Sequence, residues 1–195
     1  MRKIALLVAA FGLLLAVAGP AGADHSWGNY HWSRSSNPFT VTYEDNTTWD
    51  AELDAALADW SQSSVLDTVK GNCGKSRCVN VHNGSFPESQ FAGVAWVYRE
   101  VGDTSGHIIA ASVRLNDYVI AQREAEGYEN YAQYIMCQEI GHTLGLDHAG
   151  TGCMGTRGAL HPDAHDYEQL ETIYAHTDSG GKGKKNRVLT VHRVR

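Results

Sequence analysis

The chain has 195 residues, with 16 Lys plus Arg, 22 Asp plus Glu, 10 His, four Cys and 43% hydrophobic content. That is the composition of an ordinary folded domain, and it excludes collagen, coiled coil and wholesale disorder. Charge is unevenly placed: Lys182, Lys184, Lys185, Arg187, Arg193 and Arg195 follow Asp178, leaving 8 basic against 21 acidic residues between Asp24 and Thr177. An acidic body of that kind repels nucleic acid and anionic membrane surfaces.

Met1 to Ala23 opens with Arg2 and Lys3, runs apolar from Ile4 to Gly19, and ends in the small residues Ala21-Gly22-Ala23. This is the pattern of a secretory signal peptide cleaved after Ala23. A membrane anchor is the other reading, but 16 apolar residues containing two glycines fall short of a bilayer core. Residues 24–177 are then expected to form one secreted α+β domain, a monomer free of membrane. Residues 178–195, a basic Gly- and Lys-rich run, are expected to be a disordered tail.

Within the body, Phe39-Thr-Val-Thr-Tyr43 alternates as a strand. Thr47 followed by Asp50 signals a helix start, and Leu53, Leu57, Trp60 and Ser64 share one helical face, so the expected helix runs from Trp49 to Val69 with Gly71 as its stop. Val79 to His82, Gly93 to Tyr98 and Ile108 to Leu115 read as three further strands. From Tyr131 the apolar positions Ile135, Met136, Ile140 and Leu144 return to helical spacing, and Gly145 ends that helix. A last helix is expected from Asp166 to Ala175.

Four cysteines in a secreted chain point to two disulfides. Cys73 and Cys78 have the spacing of a local loop clamp, and Cys137 and Cys153 would then pair together, although three connectivities are open to the sequence.

The segment richest in chemistry is Cys137-Gln-Glu-Ile-Gly-His-Thr-Leu-Gly-Leu-Asp-His148. Residues four apart on a helix lie about 40° apart around its axis, so Gln138 and His142 can reach one ion with Glu139 beside it. A turn at Gly145 would bring His148 back to the same point. Glu139 on a helix facing a closed core would be costly to bury, whereas beside a metal-bound water it has a task as general base; the bland alternative is a buried hydrogen bond to backbone or to Gln138.

This pattern resembles the extended zinc signature of the metzincin metallopeptidases, His-Glu-x-x-His-x-x-Gly-x-x-His. Glu139, His142, Gly145 and His148 stand at matching positions, and Gln138 stands where the first histidine belongs. Cys153-Met154-Gly155 is similar to that clan's Met-turn. The resemblance implies a metzincin-like, zincin-type domain: a twisted mixed β-sheet, a long backing helix, an active-site helix and a C-terminal helix. It also implies that Asp166 ties down the Met-turn, that Tyr174 closes the last helix, and that a Cys137–Cys153 disulfide staples the active-site helix to the turn. Strand Ile108 to Leu115 would be the edge strand that holds an extended peptide by β-augmentation, and Gly155 to Pro162 would shape the pocket beyond the scissile bond.

The activity so implied is zinc-dependent endoproteolysis of a peptide or protein, with Glu139 as the base and His142, His148 and Gln138 around the metal. A carboxamide oxygen is a poorer zinc donor than imidazole, so three readings stand at Gln138. The amide oxygen binds; or His161, His165, His31 or His25 supplies the missing nitrogen; or the site holds no zinc and the chain is an inactive metzincin-fold protein that binds peptides. His82 and His107 are expected to be satisfied surface groups.

Overall fold

The computed structural model describes residues 25–74, 77–155, 157–178 and 189–193, the last of these as backbone only. The expected signal peptide lies outside the described residues. The elements in chain order are β1 (His31–Trp32), β2 (Phe39–Asn46), α1 (Asp50–Trp60), β3 (Leu66–Lys70), β4 (Cys78–Gly84) and β5 (Gly93–Glu100). There follow β6 (His107–Ile108), β7 (Ala110–Asn116), α2 (Asp117–Ala125), α3 (Tyr131–Thr143), α4 (Ala164–Ile173) and β8 (Leu189–Arg193).

The main sheet has the order β3-β2-β4-β7-β5-β8. Its first four strands are parallel, β5 is antiparallel to β7, and β8 is antiparallel to β5. A separate parallel pair joins β1 to β6 through His31 opposite His107. This mixed α/β architecture is compatible with a zincin-like fold. No helix among the described residues is long and apolar enough to cross a membrane.

Inward-facing side chains of the sheet, Val41, Tyr43, Val79, Val81, Ala95, Val97, Val113 and Leu115, are buried against α1 and α3. Helix α3 is buried almost all round, so the carbonyls at its C-terminal end cannot turn to water and need partners. Aromatic side chains supply them. Trp32 Nε1 donates to the Thr143 carbonyl (2.8 Å) and Tyr174 OH to that of Leu144 (2.9 Å), while Trp60 Nε1 adds a bond to the mid-helix Cys137 carbonyl (3.0 Å). Gly141 is the close-approach point, because a Cβ there would overlap Met154 Sδ and the Trp60 ring. Gly145 follows with φ +98°, against the Tyr30 carbonyl, and reverses the chain as its position in the sequence implied.

Several expectations are corrected. The helix expected from Trp49 to Val69 stops at Trp60, and Leu66–Lys70 is the edge strand β3, paired in parallel with β2. Ser61, Ser63 and Ser64 turn the chain: Ser61 Oγ bonds both the carbonyl and the hydroxyl of Thr68, and β-branched Thr68 and Val69 suit a strand. Thr47 does not cap α1 as expected, its hydroxyl accepting only from the Trp49 N–H.

Helix α2, for which no element was expected, follows β7 directly and buries Val119 and Ile120. The span Ile108 to Leu115 is interrupted at Ile109, whose N–H goes to the Tyr98 carbonyl, and β7 lies inside the sheet between β4 and β5, so it offers no free edge to a peptide. Asp178 and Leu189–Arg193, both expected in a disordered tail, are placed. Asp178 docks on Arg34, and β8 pairs with Trp96 to Glu100 of β5.

Candidate active site

Helix α3 carries Gln138 and Glu139 to a cleft of about 730 Å³, with His142 buried one turn further along the helix and outside the cleft lining. Gln138, Glu139 and His148 line it, together with Tyr134, Gly93, Gly155 and Arg157. Gly155 and Arg157 come from the segment expected to shape the pocket. The cysteines pair as Cys73–Cys78 and Cys137–Cys153, and the second bridge joins α3 to the turn bearing Met154, which lies buried under the helix at Gly141.

His142 is fully buried, and its Nδ1 stands 2.8 Å from the Leu146 carbonyl. A carbonyl can only accept, so Nδ1 carries the proton and Nε2 holds a bare lone pair, which has no partner among the described residues. Burial, with His148 next in effect, pushes its pKa down to about 4, so the ring is neutral at physiological pH. The His148 ring meets it edge-on at 4.6 Å and is exposed on its far side.

Glu139 is 3% exposed. Burial pushes its carboxyl up to about 8, against the opposing pull of a hydrogen bond from the Ala95 N–H. Gly93 makes that approach possible, since a Cβ there would overlap Ile135 and crowd the Glu139 side chain. Glu139 Oε2 has no partner among the described residues. The bland reading, a carboxylate satisfied by backbone, therefore accounts for one of its oxygens and leaves the other.

Gln138 is held differently from a ligand. Its Nε2 stands 3.2 Å from the Cys153 carbonyl, 3.1 Å from Tyr134 OH and 3.4 Å from His148 Nδ1. The Cys153 carbonyl decides the orientation of the amide, because a flipped oxygen would face another acceptor. The group thus presents N–H to its neighbours and ties α3 to the Met154 turn.

Among the described residues, no third His, Cys, Asp or Glu converges with His142 and His148. His161 pairs with Asp59 (2.7 Å), His25 Nδ1 donates to the Asp147 carbonyl (3.0 Å) with its ring stacked on His165, and His31 lies at the β1–β6 pair. None of the four supplies the missing nitrogen.

The residue that ties down the turn is Asp163, and the expectation for Asp166 is corrected. Asp163 Oδ2 accepts from Thr151 N (3.0 Å), Thr151 Oγ1 (2.6 Å) and Gly152 N (2.8 Å), while Asp163 and Asp166 cap each other at the start of α4. The Asp-x-x-Asp spacing was the readable signal. Tyr174 does close the last helix, with its hydroxyl on the end of α3.

No protein-family model and no curated protein matches the chain. Among solved structures it is similar to high choriolytic enzyme 1, a hatching-enzyme zinc-protease from the medaka fish Oryzias latipes, at 15% identity and a TM-score of 0.33. The likeness covers 60% of this chain and 50% of that one.

Proposed function

We propose that this chain is a secreted zinc-dependent metalloendopeptidase with a variant ligand set. The observation that carries the reading is the pair of unpartnered buried atoms one helical turn apart on α3, His142 Nε2 and Glu139 Oε2. Leaving a polar atom buried without a partner costs about 1–3 kcal/mol each, and both costs vanish if an ion and its water stand there. His142, with its tautomer fixed by Leu146, and His148 would hold zinc. Bound there, zinc would polarise a scissile carbonyl and acidify a water.

Glu139 suits a general base and acid: its Oε2, unpartnered among the described residues, could take a proton from a zinc-bound water and return it to a leaving amine. Gly93 and Ala95 bring β5 alongside the cleft, and β8 covers β5 only from Trp96 onward. The Gly93 end of β5 is therefore where an extended peptide would lie.

One observation favours the second reading, an inactive peptide-binding module. The Gln138 amide donates to Cys153 and turns an N–H toward His148, which occupies the first ligand position with a group committed to holding the fold. Metal content of the mature protein, measured beside digestion of a denatured protein substrate by wild type and Glu139→Ala, separates the two. Zinc dependent on His142, with digestion lost in Glu139→Ala, supports the peptidase. No His142-dependent zinc and no digestion supports the binding module.

A further inference from the structure

A second constellation stands away from α3 and belongs to neither reading of the cleft. His31 from β1, His107 from β6, and His176 and Asp178 beyond α4 meet at one carboxylate oxygen. Asp178 Oδ1 is 3.4 Å from His31 Nε2, 3.0 Å from His107 Nε2 and 3.5 Å from His176 Nε2, and the His31 and His176 Nε2 atoms are 3.3 Å apart. The rings stand nearly perpendicular, at 80° for His31 with His107 and 79° for His31 with His176, so their edges converge.

Hydrogen bonding alone does not settle this cluster. His31 Nδ1 lies 2.8 Å from the Asn29 carbonyl, which fixes the proton on Nδ1 and leaves Nε2 with a lone pair. That lone pair faces Asp178 Oδ1 at 3.4 Å, on a carboxylate whose other oxygen accepts from the Arg34 N–H and Nη1. Two acceptors face each other there, in a residue 6% exposed. Either an extra proton or a cation must stand between them.

The separations suit the cation. Zinc binds imidazole nitrogen and carboxylate oxygen at about 2.0–2.1 Å, so the edges of its tetrahedron are about 3.3 Å. The His31–His176–Asp178 triangle has sides of 3.3, 3.4 and 3.5 Å. The groups that orient ligands in metal sites are also present. Asn29 fixes His31, while the Arg34 N–H and Nη1 each hold Asp178 Oδ2 at 3.0 Å, and Arg34 Nη2 holds the His176 carbonyl. The other three-donor group, His25, His165 and Asp166, has its imidazoles stacked at 17°, with lone pairs side by side instead of at one point.

We infer that His31, His176 and Asp178 form a structural divalent-cation site, selective for zinc by its imidazole-rich donors, with His107 positioning the shared carboxylate oxygen. The ion clips two segments distant in sequence, β1 and the stretch that follows α4, with β6 joined to them through His107, and its binding free energy adds to folding.

The test uses the full mature chain, stripped with chelator and titrated with Zn²⁺, reading bound metal per chain and Tm. His176 is half exposed, so His176→Ala leaves the core intact. The double variant His142→Ala/His148→Ala isolates this site from the cleft. The expected result is one zinc retained by the double variant with Tm raised by several degrees, and that zinc and that rise lost on adding His176→Ala, with His107→Ala weakening binding less. Zinc binding and Tm unchanged by His176→Ala, or a double variant that neither binds zinc nor gains stability from it, overturns the site and leaves a proton in the cluster. Failure of the cleft to bind zinc would instead appear as stoichiometry unaltered by His142→Ala, so the two failures are read separately.

Discussion

The α3 cleft and the junction around Asp178 are opposites in how chemistry is written into a chain. At the cleft the residue spacing announces a metal site, and Gln138, Glu139, His142 and His148 do gather, yet only two imidazoles converge and the amide turns an N–H inward. At the junction no motif is visible, since His31, His107 and His176 are scattered over 146 positions, yet the His31 and His176 nitrogens and one Asp178 oxygen stand at separations that match the edges of a tetrahedral site. Helical spacing guarantees proximity. It does not determine which atom of a side chain faces the centre, and that depends on what hydrogen-bonds the other end.

The contrast can be broken most sharply at Glu139. Glu139→Ala is expected to lower peptide hydrolysis by about 10²–10⁴-fold while leaving junction zinc unaltered, as read by kcat/KM and metal content on one preparation. Next in size is Arg34→Ala. The guanidinium is 2% exposed and bonded to Asp178 and the His176 carbonyl, so its loss strands a buried carboxylate at a cost of about 3–5 kcal/mol. Urea unfolding checks this, and the effect is expected to shrink when zinc is present.

Gln138→His replaces an amide by imidazole at the first ligand position and is expected to raise cleft zinc affinity at least about tenfold, near 1.4 kcal/mol, measured by chelator competition. No gain would show that the Cys153 carbonyl still dictates the orientation of the side chain.

The smallest effect is expected at Asp163. Its pKa is lowered to about 2 because hydrogen bonds from Thr151, Asp166 and Gly152 outweigh its partial burial. Its contribution to stability is therefore present above the ordinary value of 3.8 and is lost as pH falls toward about 2. Asp163→Ala should cost about 0.5–2 kcal/mol as a lost cap and flatten the acid limb of a Tm-against-pH curve between pH 2 and 4.

Local sequence made much of the frame legible. The strands at Phe39, Val79 and Gly93, the helix from Tyr131 and the reversal at Gly145 follow from period and punctuation. The disulfide pairs follow from one short spacing and a remainder. Misreadings fell where local signals competed. The face of α1 continues by period through Ser64, but serine side chains that bond backbone end the helix, and β3 is held by pairing with β2. The span Ile108 to Leu115 is a strand in isolation, and only sheet order makes it internal.

By itself the sequence determined which residues could share a helix face, which segment could carry a metal motif, and which cysteines are close enough along the chain for a local bridge. Those are properties of neighbours along the chain, set by backbone period and residue chemistry. The tertiary structure alone decided the direction of the Gln138 amide, the bare lone pairs of His142 and His31, the turn-holding role of Asp163 and the gathering at Asp178. Each of these is fixed by a hydrogen-bond partner far away in sequence: Cys153 for Gln138, Thr151 for Asp163, Arg34 for Asp178. Donor orientation inside a protein is set by whichever group satisfies the rest of the side chain, and local sequence does not name that group.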